Sequence, residues 1–141
     1  MLLPAQLTIT EVRRDMSRFA DRVIHEEPAI VVRRGRRDSF WAIDDEKFRE
    51  LLRAYRFTLD YEKGEDGRYY GSLREIDDIV GDGNTLDELK RDLASYLIDY
   101  ARGYAEDIKL FYNAPNRRSH FPYILSVLAK DSIEDVLALI D

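Results

Sequence analysis

Two arginine clusters carry the most distinctive chemistry in this 141-residue sequence: Arg13-Arg14, directly after Glu11-Val12, and Arg33-Arg34-Gly35-Arg36-Arg37. A guanidinium group is planar, permanently charged and presents paired N–H donors, a geometry suited to phosphate oxygens and to the major-groove edge of guanine. Position and charge make Arg14, Arg34, Arg36 and Arg37 candidate phosphate contacts. A hairpin tip with four arginines around a glycine is also what a solvated turn looks like, so both readings stand at this point.

The carboxylates of the second half invite another chemistry. Asp60, Glu62, Asp66, Asp77, Asp78 and Asp82 could be gathered into a magnesium cluster of a nuclease, in which two ions activate water and steady the leaving oxygen. Against this, Asp60 and Glu62 share a strand face with Thr58, expected to face solvent, and Asp66 belongs to a turn. An acidic surface that docks a cationic partner, or a plain solvated face, accounts for the same residues. His25 and His120 are isolated from any third ligand at metal spacing and read as structural or surface residues. The serines lack a glycine elbow, and no glycine-rich phosphate loop is present. No catalytic residue, metal site or cofactor is expected, and the chain reads as a binding protein rather than an enzyme.

Charge is unevenly placed. Residues 1–56 carry 12 Lys/Arg against 10 Asp/Glu, whereas residues 57–141 carry 10 against 18, within a chain of net charge -6. Such a division suits two unlike partners, one anionic and one cationic. No run of roughly 18 apolar residues could span a bilayer. The start of the chain has no basic region, and there are no cysteines. The expected location is therefore the cytoplasm.

The elements that must position the arginines begin with Leu7-Thr8-Ile9, a short strand. Thr10 is expected to cap the helix that follows, with Glu11 in its first turn. Val12, Met16, Phe19, Val23 and Ile24 then form one apolar helical face, which must end before Pro28. Ala29 to Arg33 reads as a strand, residues 34–38 as a turn and Ser39 to Ile43 as the hairpin partner. Asp44 or Asp45 caps a further helix bearing Phe48, Leu51, Leu52 and Tyr55.

Composition changes near Arg56, since all nine tyrosines lie at or beyond Tyr55. Phe57 to Glu62 alternates as a strand, Gly64-Glu65-Asp66-Gly67 signals a hairpin, and Arg68 to Leu73 returns. Ile76, Ile79 and Val80 suggest a short third strand. Thr85-Leu86-Asp87-Glu88 matches a capping box, followed by about five turns of helix through Tyr104. In that helix Tyr96, Tyr100 and Tyr104 are read first as core packing. Asp107 to Tyr112 alternates as a closing strand, residues 113–120 read as a polar loop, and two short helices finish the chain. One carries Tyr123, Ile124, Val127 and Leu128; the other is capped by Ser132. No internal repeat or low-complexity segment appears.

The order of the first half, with Glu11-Val12-Arg13 opening a helix and Pro28-Ala29-Ile30-Val31-Val32-Arg33 closing a strand, resembles Phd/YefM (prevent-host-death) antitoxins. That resemblance implies a dimer that binds operator DNA through Arg13 and Arg33 and represses its own operon. Residues 56–112, with their aspartate-glycine hairpin and capped long helix, are similar to HicB antitoxins, whose domain is a degenerate ribonuclease H-like fold that binds a toxin. The fold class expected is α+β. Residues 1–55 would form a Phd/YefM-like dimerisation and DNA-binding module, and residues 56–141 a HicB-like toxin-binding module with two short C-terminal helices. The partners implied are operator DNA, a sister chain, and a small basic toxin such as a RelE-like or HicA-like ribonuclease. The contacts for that toxin lie somewhere in the acidic C-terminal half. Phe19 and Trp41 are expected at the dimer interface. The alternative is a stand-alone transcriptional regulator whose second module senses a ligand or oligomerises.

Overall fold

The computed structural model describes residues 5–33, 35 and 37–141. It is a mixed α+β chain that divides into two compact units, Met1–Leu51 and Leu52–Asp141.

In the first unit, β1 (Ala5–Thr8) is followed by α1 (Ile9–Arg14) and α2 (Met16–His25). Strands β2 (Ala29–Val32) and β3 (Ser39–Ala42) follow, and helix α3 (Asp45–Leu52) completes it, its last residue Leu52 opening the second unit. The sheet order is β1-β2-β3, with β1 parallel to β2 and β2 antiparallel to β3. Central β2 is rich in branched apolar residues, and Ala29, Ile30 and Val31 are buried with Val12 and Val23 from the helices.

Two local expectations are corrected. The cap of α1 is Thr8, whose hydroxyl accepts the Glu11 amide at 3.2 Å, so Thr10 lies inside the helix. Thr8-Ile9-Thr10-Glu11 already had the spacing of a cap followed by an acid three residues on. The single helix expected through Ile24 is also broken, at Asp15. That residue leaves helical geometry (φ -150°, ψ 86°) and its carboxylate accepts the Arg18 amide at 3.1 Å, capping a second helix. Because of this break the apolar face is not continuous, and Met16 and Ile24 are exposed. Helix α3 is capped by Asp44, which accepts the Lys47 amide.

The second unit holds an antiparallel sheet β4-β5-β6 formed by Leu59–Lys63, Tyr69–Leu73 and Ile76–Gly83. The third strand therefore runs on through the glycines to Gly83. Helix α4 (Leu86–Glu106) lies across one face and buries Leu89, Leu93, Ala94, Leu97, Ala101 and Tyr104. Its cap, Thr85, accepts the Glu88 amide at 3.1 Å, while the Glu88 carboxylate returns to the Asn84 amide at 2.7 Å. Tyr104 is fully buried, Tyr100 is half-buried and Tyr96 is exposed, so the tyrosine stripe is only partly core.

The closing strand expected at Asp107 to Tyr112 is instead a helix, α5 (Ile108–Asn113), capped by Asp107 on the Leu110 amide at 3.2 Å. The alternation of Ile108, Leu110 and Tyr112 buries none of the three, whereas Phe111 packs beside Tyr104 with ring centroids 5.1 Å apart. One aromatic seat and a local cap outweigh the strand pattern. Within the expected loop at 113–120, Arg118–His120 forms a short 3-10 turn. Helices α6 (Phe121–Leu128) and α7 (Ile133–Leu137) return to the unit's own core through Ile124, Val127 and Val136. The chain end then runs parallel to Phe57: Phe57 donates to the Leu139 carbonyl at 2.8 Å and Asp141 to the Phe57 carbonyl at 2.9 Å.

Candidate functional site

The parallel pairing of β1 with β2 decides where the arginines can stand. Its register places Thr8 opposite Val32, so α1 leaves the sheet at the end where Arg33 leaves it. Arg13 and Arg14 occupy the last turn of that six-residue helix. Arg13 lies about 6 Å of helical rise beyond Ile9. Both are exposed, and neither has an ion pair among the described residues.

Arg33 closes the hairpin neck. Its amide donates to the Asp38 carbonyl at 3.1 Å and its guanidinium lies 3.6 Å from the Asp38 carboxylate, with more than half of both side chains exposed. Gly35 turns the tip at φ +76°, a left-handed conformation that a side chain disfavours. Arg37 is exposed. Arg34 and Arg36 lie outside the described residues. The hairpin arginines Arg33 and Arg37 thus share the sheet end from which α1 departs. Counter-charges nearby in sequence are Glu11 and the capping Asp15, so the region is mixed rather than uniformly basic.

The carboxylates singled out in the second half do not converge. Asp60 is gripped by Arg74 at 2.7 and 3.1 Å, which holds its carboxyl below the usual range. Asp66 is lowered first by the hydroxyl of Tyr70 and next by the Arg68 amide. Asp82 pairs with Arg68 at 3.1 Å, and Asp78 lies 3.5 Å from Arg117. Among the described residues no three His, Cys, Asp or Glu side chains are grouped to hold a metal ion.

His25 is exposed at the end of α2, whereas His120 is buried in an aromatic cluster. Its Nδ1 is 2.7 Å from the Tyr100 hydroxyl. Burial raises the Tyr100 phenol above its ordinary value, so the hydroxyl keeps its proton, and which partner donates follows the tautomer of the ring. Burial also holds His120 below its ordinary value; Asp78 opposes this and Arg117 reinforces it. Arg117 stacks over both Tyr100 and Phe111 with 5.4 Å to each centroid. Nothing in the local sequence around His120 announced this seat, because its partner lies twenty residues earlier.

Asp60, Glu62 and Asp82, read by residue type as an acidic docking surface or a solvated face, stand on the sheet face opposite α4. A shallow depression of about 690 Å³ crosses it, bordered by side chains of all three strands and by Asp92 and Tyr96 of α4. No helix among the described residues is long and apolar enough to cross a membrane.

Comparison with known proteins adds two findings. A family model described as PHD-like, antitoxin of toxin-antitoxin, RelE / RelB, TA system, matches residues 1–141. A crystal structure of an antitoxin part of a proposed toxin/antitoxin system from Syntrophomonas wolfei subsp. wolfei superposes with a TM-score of 0.89 at 34% sequence identity, covering 98% of this chain and 97% of the other. No curated protein matches the chain.

Proposed function

The chain belongs to the PHD-like antitoxin family matched over residues 1–141, and from that premise we propose that it neutralises a small toxin by binding it and represses its own operon by binding DNA as a dimer. The match over the whole length is the observation that carries this reading. Both steps are binding events and require no bond to be made or broken.

The division of labour follows charge. The first unit, Phd/YefM-like in its element order, presents Arg13 and Arg14 on α1 and Arg33 and Arg37 on the hairpin; Arg34 and Arg36 lie beside them in the sequence. Arg13 and Arg33 are assigned to base edges and the remainder to phosphates. A dimer doubles this set, as an operator with two related half-sites requires. Support for dimerisation comes from β3, the edge strand of its sheet among the described residues, on which Phe40 is 54% and Trp41 60% exposed. Large apolar side chains grouped at a strand edge are a liability in a lone monomer and an asset at an interface. Half-buried Phe19 adds to the same reading.

The second unit, HicB-like in its first three strands and long helix, carries the acidic surplus of the chain and is assigned to a basic toxin, in the manner of a RelE-like or HicA-like ribonuclease. This unit has its own core from Phe57 to Ile140. It would therefore offer a preformed surface rather than a tail that orders on contact.

Two measurements test the reading. Expression of the polypeptide encoded beside this chain's gene should arrest growth, and co-expression of the chain should relieve it. In a mobility shift on the DNA upstream of that gene, Arg13→Ala should relax sequence choice. Full binding and full selectivity after that substitution would remove the DNA half of the proposal.

A further inference from the structure

The sheet β4-β5-β6 has two unlike faces. Leu59, Leu73, Ile76 and Ile79 meet α4 on one, and the cross-strand register fixes what stands on the other. There Asp60, Ser72 and Val80 form one row and Glu62, Tyr70 and Asp82 the next. Between these rows run the backbones of Tyr61, Gly71 and Gly81, the floor of the 690 Å³ depression. Within the second unit no element covers it, and Val80 is 63% and Tyr96 51% exposed at its β6 end.

Charge sets the occupant. Asp60, Glu62, Asp82 and Asp92 border the depression and no Lys or Arg does. Arg74 and Arg68 pair with Asp60 and Asp82, while Glu62 has no ion pair among the described residues. Asp92 uses one oxygen on the Asp82 amide at 2.9 Å. Asp60 and Glu62 on β4 stand two strand spacings, roughly 10 Å, from Asp82 on β6, with Asp92 of α4 at the β6 end. Between them stand Tyr70 and Ser72, with Val80 and Tyr96 at the β6 end. That combination admits an apolar group flanked by two cations, which gain cation–π attraction from the tyrosine rings as well as charge pairing.

We infer that this sheet face is the toxin-docking surface, and that it takes a segment of the toxin whose two Lys or Arg side chains, about 10 Å apart, flank an apolar residue. The inference rests on the antitoxin reading and names the site within it. A helix with cations seven residues apart places both on one face at that spacing, whereas cations three apart on an extended segment point to opposite faces.

The test uses the full chain and the polypeptide encoded by the adjacent reading frame, with binding measured by titration calorimetry. Val80→Lys and Glu62→Lys place positive charge in the depression at exposed positions, and circular dichroism checks that each variant folds. Leu110→Lys, on exposed α5, serves as the comparison. Each groove variant should weaken binding at least tenfold, with Leu110→Lys close to the parent. Groove variants that bind like the parent overturn the assignment while leaving the antitoxin reading intact. A parent chain that binds nothing removes both. If Val80→Lys alone changes the solution mass of the isolated chain, the face joins sister copies and the toxin assignment is wrong.

Discussion

Arg56 holds Asp141 through two hydrogen bonds, Nε to Oδ2 at 2.9 Å and Nη2 to Oδ1 at 2.8 Å, and the same guanidinium reaches the Ala138 carbonyl at 2.7 Å. Asp141 is thereby fixed to the segment that leads into β4. The fork itself is solvent-exposed, and exposed pairs contribute little. Buried Leu139 and Ile140 beside it carry the attachment. Ile140→Ala should therefore cost about 2–5 kcal/mol, and Asp141→Asn markedly less, in denaturant unfolding of the whole chain. The Arg56 hydrogen bonds lower the Asp141 pKa, so whatever stability the pair adds is present at neutral pH and is lost only as acid titrates the folded carboxyl. Equal losses for the two substitutions would contradict this ranking.

His120 gives the second unit a pH dependence of opposite origin. Burial depresses its pKa from the ordinary 6.5, so the folded chain keeps the ring neutral where the unfolded chain takes up a proton. The unfolded state then binds more protons, and stability falls as pH drops below that ordinary value until the folded ring protonates too. Unfolding titrations between about pH 7.5 and pH 5.5 should show this decline, since burial keeps the imidazole beside Tyr100 neutral in the folded chain. His120→Gln should flatten the curve in that window while leaving the carboxylate-driven loss at lower pH. A parent curve already flat there would sink the argument.

Two glycines separate close approach from mere permissiveness. A Cβ at Gly83 would stand 2.5 Å from the Leu89 amide nitrogen and 2.8 Å from the Glu88 carbonyl carbon, both backbone atoms of α4. Gly83→Ala must push the strand off the helix and should cost about 1–3 kcal/mol. Gly103, inside α4, meets nothing within 4 Å. Gly103→Ala should instead stabilise by about 0.5–1 kcal/mol, because helical glycine loses more conformational freedom on folding than alanine. Thermal melts of the two variants should move in opposite directions.

How much of this was legible in the sequence depends on the range of the interaction. Thr85 and Glu88 announced the start of α4 because a cap is settled within four residues. Ser132, three residues before Asp135, did the same for α7, where its hydroxyl accepts the Asp135 amide at 3.2 Å. The same local rule, applied at Thr8 and Asp15, would have divided α1 from α2; the apolar spacing of Val12, Met16, Phe19 and Val23 concealed the break by suggesting one unbroken face. Asp107 to Tyr112 failed for a non-local reason, since a strand needs a neighbour and the Phe111 ring found Tyr104 instead. Of the candidate site, the arginine positions were readable as residue types. The groove was not, because its two rows exist only once Asp60, Ser72 and Val80 are brought into register across three strands.

The arginine assignment makes a quantitative prediction about salt. Each phosphate neutralised on duplex DNA releases condensed counterions and contributes about -0.9 to the slope of log affinity against log salt. Arg37, exposed at the hairpin, is assigned to phosphate; in a two-fold assembly its removal deletes two contacts, so Arg37→Ala should make the slope shallower by about 1.8 units. Arg13, assigned to a base edge, should leave the slope nearly unchanged when replaced by alanine while reducing the preference for the operator over unrelated DNA. The same experiment counts chains, because a monomer would lose only about 0.9 for Arg37→Ala. An unaltered slope for Arg37→Ala would place that side chain in solvent and return the hairpin to the reading of a solvated turn.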